Sequence, residues 1–299
     1  MALYAFDGTW NRDKAGNRKD TNVVKFSDAY IPGGSVCYQE GVGVRFGPLG
    51  KVVGGLTGAG GRTRLRRAWN RLLDNLEEGD ATVDIVGFSR GAALALEFAE
   101  WIARKRLRGA CPRPKVRFLG LWDTVHSFGV PGNNINLGWA MNLPGSVEKC
   151  FHALALDEMR RTFPPTRLAA RVDRAQQEGR LYEVWFRGVH SDVGGGNGNQ
   201  GLSDIALHWM FRRGLATGLR FREASVGRAL RRMDPQTPIS VHALDPIQSG
   251  FRVVRWNDLV HASVSPRADD GARRHNDPPI GLQRVDDDGA LLPLGFGEA

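Results

Sequence analysis

The stretch from residue 82 to residue 99 constrains this chain more than any other. Thr82-Val83-Asp84-Ile85-Val86-Gly87-Phe88 is an apolar, β-branched run that reads as a central strand, and Ala92-Ala93-Leu94-Ala95-Leu96-Glu97-Phe98-Ala99 is a strong helix former. Only Ser89-Arg90-Gly91 separates the two. A strand that turns into a helix over so few residues holds the middle residue on a strained bend. Glycine is then required on either side, where a side chain would collide with the neighbouring strand and helix. Gly87-Phe88-Ser89-Arg90-Gly91 meets that requirement. The bend exposes the Ser89 hydroxyl above the sheet and sets the Arg90 amide at a helix N-terminus, where it can donate to an oxyanion. Among 38 glycines a Gly-x-Ser-x-Gly arises readily by accident. The strand before it and the helix after it make this one informative.

The rest of the chain alternates in the same way. Residues 2–6 read as a short buried strand ending at the turn Asp7-Gly8-Thr9, and residues 22–30 as a helix capped by Thr21 or Asn22. Val36-Cys37-Tyr38 suits a short strand, and Gly41 to Gly61 a long glycine-rich loop. Leu65, Trp69, Leu72, Leu73 and Leu76 recur at helical spacing before Gly79-Asp80 ends the run. Lys115 to Leu121 reads as a strand ending at Trp122-Asp123-Thr124, residues 126–146 as a lid or insertion, and Val147 to Met159 as a helix. Leu181 to Val189 reads as a strand ending at His190, Leu202 to Leu215 as a helix, and Phe251 to Trp256 as a last strand. The expected fold is α/β, a mostly parallel sheet with helices on both faces. The catalytic unit is expected over 1–263, with a polar extension over 264–299.

A serine nucleophile needs a base, and the base needs an orienting carboxylate. Asp123, at the end of an apolar run, suits the acid. His190, directly after another, suits the base, and Gly194-Gly195-Gly196 behind it lets backbone approach closely. His261 competes, because it follows the last expected strand; periodicity leaves the two open. His152 and His208 fall within helical patterns, while His242 and His275 fall in irregular ones. The amides of Gly8 or Thr9 are candidates for a second oxyanion donor beside Arg90. Asp7, His126 and Asp192 are candidates for lining the substrate pocket. Two carboxylates without a ligand pattern make no metal site, and the chemistry needs no cofactor.

The formal charge is +9, carried mainly by arginines at 62, 64, 66 and 67, at 104–108, and at 228, 231 and 232. Such a surface attracts anionic lipid. No aromatics are interleaved for base stacking, so nucleic acid is not expected. No apolar run approaches the ~18 residues that span a bilayer. The N-terminus reaches an acidic residue, Asp7, too soon for a signal peptide and has no basic n-region. Three cysteines, Cys37, Cys111 and Cys150, form no Cys-x-x-Cys pair. Cytoplasmic synthesis is the expectation.

Taken together, these segments resemble a family, the catalytic domain of type VI secretion phospholipase effectors. The resemblance rests on Phe6-Asp7-Gly8-Thr9-Trp10-Asn11, Gly41-Val42-Gly43, Gly79-Asp80, Gly87-Phe88-Ser89-Arg90-Gly91-Ala92 and Leu121-Trp122-Asp123-Thr124-Val125. Further on it rests on His152-Ala153-Leu154-Ala155-Leu156-Asp157-Glu158 and the run from Val184 through His190-Ser191-Asp192 to Gly196. They occur in the family's order over about the first 210 residues. The resemblance implies an α/β-hydrolase-like fold, a triad on Ser89, Asp123 and His190 rather than His261, and hydrolysis of phospholipid acyl esters. It also implies delivery by a type VI secretion system and, for a toxin, a cognate immunity protein. The length suggests the catalytic domain and little more. A soluble esterase or thioesterase of metabolism is the alternative within enzymes. A non-catalytic protein binding anionic surfaces on a hydrolase scaffold is the alternative outside them.

Overall fold

Among the described residues the sheet has eight strands, all parallel, which in spatial order begin at residues 36, 2, 82, 115, 147, 181, 259 and 283. A computed structural model describes the chain apart from residues 9–19, 32–34, 42–57, 106–113, 127–141, 162, 169–178, 241–249, 266–274, 280 and 293–299. In chain order the elements are β1 (Ala2–Phe6), α1 (Asn22–Ala29), β2 (Val36–Gln39), α2 (Gly58–Glu77), β3 (Thr82–Phe88), α3 (Arg90–Arg104), β4 (Lys115–Trp122) and β5 (Val147–Ala155). There follow β6 (Leu181–Phe186), α4 (His190–Gly194), α5 (Gln200–Ala216), α6 (Glu223–Arg232), β7 (Leu259–His261) and β8 (Gln283–Val285). A parallel sheet needs a crossover between successive strands, and the helices that cross cover both faces. On one face α1, α5 and α6 pack around Phe26, whose ring meets Phe118, Trp122, Phe211 and Phe221. On the other, Leu65 and Leu72 of α2 and Phe98 of α3 close over Tyr4 and Phe6 of β1. Among the described residues no helix is long and apolar enough to cross a membrane.

The expected class and the central unit agree with this architecture. Thr21 caps α1 through its hydroxyl, which accepts from the Val24 amide, and α2 turns Leu65, Leu72 and Leu76 to the sheet while Leu73 of the expected stripe is exposed. Four readings are corrected. Residues 147–155 form a strand, β5, and not a helix: the segment lies between β4 and β6 with its last six residues buried. Ala, Leu, Glu and Lys favour a helix there, and the sheet overrides them. His152 accordingly sits in the sheet. The strand before His190 ends at Phe186, and His190 opens the short helix α4. Phe251–Trp256 is not a strand; β7 comes three residues later. Within 264–299, β8 pairs with β7 and completes the sheet, so that stretch is not merely an appended tail. Helix α6 had no counterpart in the sequence reading. The 42–57 part of the glycine-rich loop and residues 127–141 of the suggested lid lie outside the described residues.

Chain order reverses beside β1, which lies between β2 and β3. In open α/β sheets the ligand crevice lies beyond the carboxyl ends of strands at such a switch point. Asp7 follows β1, Ser89 follows β3, Asp123 follows β4 and Asp157 lies just beyond β5. All of them are therefore on one edge of the sheet.

Candidate active site

The bend at Ser89 has the strain the sequence implied. Its φ of 57° and ψ of −126° lie where L-residues seldom go, and Asp123, with φ of 38°, is the only other described non-glycine residue at positive φ. A Cβ on Gly87 would come within 2.6 Å of the Ala92 Cα in α3, and one on Gly91 would run into the Phe6 carbonyl at the end of β1. The bend is pinned from β4: the Ser89 amide donates to the Trp122 carbonyl at 3.0 Å, and the Val125 amide donates to the Ser89 carbonyl at 3.2 Å. Arg90 opens α3, so its amide lies at the positive end of that helix.

Asp123 is fully buried. Its Oδ1 accepts from Arg252 Nη1 at 2.6 Å and from the Ala155 amide at 3.0 Å. Its Oδ2 accepts from His190 Nδ1 at 2.6 Å and from Arg252 Nη2 at 3.1 Å. Burial pushes this carboxyl up, but the Arg252 guanidinium and the His190 ring together outweigh it and hold it below the usual carboxylate range. A carboxylate can only accept, so Nδ1 carries a proton and, in the neutral ring, Nε2 is the basic nitrogen. The imidazole lies between Phe88 and Phe163, with ring centres at 4.6 and 4.9 Å. Burial in that apolar setting lowers the His190 pKa, and Asp123 and Glu158 only partly offset it. No hydrogen bond joins Ser89 to His190 among the described residues. Such contacts are commonly long in ligand-free sites and tighten with substrate.

Three consecutive amides in the loop carrying His190 end on buried carboxylates. Gly188 donates to Asp157 Oδ2 at 2.6 Å, Val189 to Asp192 Oδ2 at 3.2 Å and His190 to Glu158 Oε2 at 3.1 Å. Arg160 chelates Glu158 and, with a smaller contribution from His190, brings its pKa to about 2 against the upward push of burial. The imidazole is thus positioned by its backbone as well as by Asp123. Gly194 lies so close to Phe88 that a Cβ there would enter the ring.

The other expected site residues fare differently. The Gly8 amide donates to Asp7 Oδ1 at 2.6 Å, which commits the hydrogen an oxyanion would need; Thr9 lies outside the described residues. Asp7 is buried and accepts from Thr21 and Tyr38 as well, at 2.9 and 2.6 Å. It ties β1 to β2 and α1 rather than lining a pocket. Burial lifts its pKa to about 6, with those donors pulling back. Asp192, also expected in the pocket, accepts from Asn197, Asn199, Ser240 and the Val189 amide and is fully buried; it braces the loop after β6. His126 is buried with Nδ1 on the Thr166 hydroxyl at 2.9 Å. His261 is bonded at both nitrogens, through Nδ1 to Ser263 and through Nε2 to Asp287. Arg252, Glu158 and Asp157 were not singled out as site residues. Asp157-Glu158 falls in a segment whose residues favour a helix, and nothing local marks Arg252. Among the described residues no cluster of three or more His, Cys, Asp or Glu is placed to hold a metal ion.

Among solved structures, an uncharacterized protein from Pseudomonas aeruginosa matches with a TM-score of 0.51 at 23% identity, covering 78% of this chain and 47% of its own. A Tle1 effector bound to the VgrG spike of the type 6 secretion system matches with a TM-score of 0.46 at 26% identity, covering 65% and 50% respectively. The chain spans about half the length of each of these structures. No curated protein is significantly similar to it. The family described as T6SS, Phospholipase effector Tle1-like, catalytic domain, matches over residues 3–107 and 97–213, most of the chain and every strand through β6. This chain belongs to the Tle1-like catalytic domain family of type VI secretion phospholipase effectors.

Proposed function

We propose that the chain hydrolyses carboxylic esters of glycerophospholipids through an acyl-enzyme on Ser89. The carrying observation is the 2.6 Å hydrogen bond from His190 Nδ1 to the buried Asp123, on the same sheet edge as the strained Ser89. Family membership supports the lipid substrate and delivery by a secretion system. Ser89 Oγ attacks the acyl carbonyl and passes its proton to His190 Nε2. Asp123 keeps the ring in the required tautomer and offsets the charge it gains. The Arg90 amide, at the N-terminus of α3, stabilises the tetrahedral oxyanion. His190 returns the proton to the departing alkoxide. It then takes one from the water that attacks the acyl-enzyme and returns it to Ser89 Oγ as the acyl–Oγ bond breaks and the fatty acid leaves.

The test is turnover of a short p-nitrophenyl ester and of phospholipid vesicles by wild type and Ser89→Ala. The proposal expects both activities in the wild type and a loss of roughly 10⁴–10⁶ in kcat in the variant. Undiminished turnover by a folded Ser89→Ala protein would reject it.

A further inference from the structure

A cavity of about 510 Å³ opens beside His190, bounded in part by Glu158, Phe163 and Arg252. Five arginines line it: Arg160, Arg161, Arg167, Arg252 and Arg255. Three are neutralised, Arg160 by Glu158, Arg167 by Glu183 and Asp258, and Arg252 by Asp123. Arg161 and Arg255 are exposed, and their guanidinium groups have no carboxylate partner among the described residues. The cavity therefore carries at its mouth two positive charges that no carboxylate of the described residues offsets.

Val253, which lines the cavity, and Trp256, which directly follows Arg255 in the chain, are the two most exposed large apolar side chains among the described residues, at 79% and 85%. Single exposed apolar residues are ordinary on protein surfaces, but these stand three positions apart with Arg255 between them. The backbone that carries Trp256 is braced. It occupies a turn closed by the Asp258 amide on the Arg255 carbonyl at 3.0 Å and by the Arg255 amide on Asp258 Oδ2 at 2.9 Å. Asp258 in turn is held bidentately by Arg167, at 2.7 and 3.0 Å, and by the Trp185 indole N–H at 3.0 Å. An indole on a braced turn beside free guanidinium groups suits the headgroup layer of a bilayer. There the ring sits between water and acyl chains while arginines meet phosphates.

We propose that Arg161, Val253, Arg255 and Trp256 form the surface by which this protein docks on an anionic phospholipid bilayer. The two arginines engage headgroup phosphates, and Trp256 and Val253 enter the interface. The proposal deepens the reading of the site as a lipid acyl hydrolase and rests on it for the choice of ligand; docking itself requires no turnover. Charge and apolar contact together supply the two signals that stable attachment to a membrane needs. Three of its four residues, Val253, Arg255 and Trp256, lie beyond residue 213, where the match to the family ends, and Arg161 lies within it.

The experiment is co-sedimentation of Ser89→Ala protein with phosphatidylglycerol and with phosphatidylcholine vesicles in low and high salt. Phosphatidylglycerol vesicles should bind, more weakly in high salt, and phosphatidylcholine vesicles should bind poorly. Adding Arg161→Ala and Arg255→Ala together should weaken binding about thirtyfold, from the charge of two arginines near the surface. Trp256→Ala should weaken it severalfold, with melting temperature unchanged because these side chains are exposed. Equal binding to both lipids, or full binding after the arginine substitutions, would overturn the proposal. So would displacement by millimolar glycerol phosphate, which would make the site one for a soluble phosphate ester. Labelling of wild-type Ser89 by a fluorophosphonate is read in parallel. Docking without labelling breaks the hydrolase reading alone, and labelling without docking breaks this proposal alone.

Discussion

Two histidine–aspartate pairs stand at the ends of neighbouring strands, His190 with Asp123 beyond β6 and His261 with Asp287 at the end of β7. Both histidines are buried, and both lie against a phenylalanine: His190 on Phe88, His261 on Phe186 at 4.7 Å. They differ in which nitrogen is committed. In the first pair Nδ1 keeps its proton and donates a hydrogen bond to Asp123, which leaves Nε2 as the basic nitrogen. In the second, the Ser263 amide donates to Nδ1, so Nε2 carries the proton and donates a hydrogen bond to Asp287 at 3.2 Å. They differ also in the acid. Asp287 is partly exposed and shared with His208, whereas Asp123 is sealed and clamped by Arg252. A histidine beside a carboxylate is thus not by itself a base. A basic nitrogen must remain, and it must face a nucleophile.

The largest expected effect is on that difference. His190→Ala should reduce ester turnover nearly as far as Ser89→Ala, and the double variant should be little worse than either, since residues of one unit are not additive. Equal losses from His190→Ala and His261→Ala would erase the distinction. Arg252→Met comes next. Removing one partner of a buried ion pair costs roughly 3–5 kcal/mol of stability and leaves Asp123 without its counter-charge. Kinetics separates this from simple destabilisation. With Arg252 gone, Asp123 attracts the imidazolium unopposed, so the His190 pKa rises and the acid limb of kcat/KM moves to higher pH. A limb that stays in place in the folded variant would leave Arg252 a structural residue only.

In the wild type the same limb tests the burial of His190. In the proposed mechanism the active form is the neutral imidazole, and burial lowers its pKa from the ordinary 6.5. Activity is therefore expected to persist below pH 6.5 and to fall only as pH drops through the lowered value. A limb above 6.5 would contradict the buried, Phe-flanked setting. The smallest effect is expected from His261→Phe. Turnover of a short ester stays at wild-type level, while stability drops by about 1 kcal/mol for the hydrogen bonds lost.

What could be read in the sequence was chemistry fixed by near neighbours. The glycines at 87 and 91 are required within five residues of Ser89, and Asp123 and His190 each follow an apolar run that ends on the active edge. Contacts between distant segments left no such mark. Arg252 reaches Asp123 across 129 residues, and Asp192 looks like a pocket carboxylate until Asn197, Asn199 and Ser240 are seen around it. Gly8 stands where a second oxyanion donor belongs, but its amide turns to its own neighbour, Asp7. The strand β5 was lost to propensity, because a strand buried on both faces has no alternation to betray it.

The most direct measurement is the rate at which a fluorophosphonate labels Ser89, with the labelled peptide identified by mass spectrometry, in wild type, His190→Ala and His261→Ala. The account predicts fast labelling at Ser89 in wild type and His261→Ala and near-background labelling in His190→Ala. Labelling that survives loss of His190, or that needs His261 instead, would contradict it.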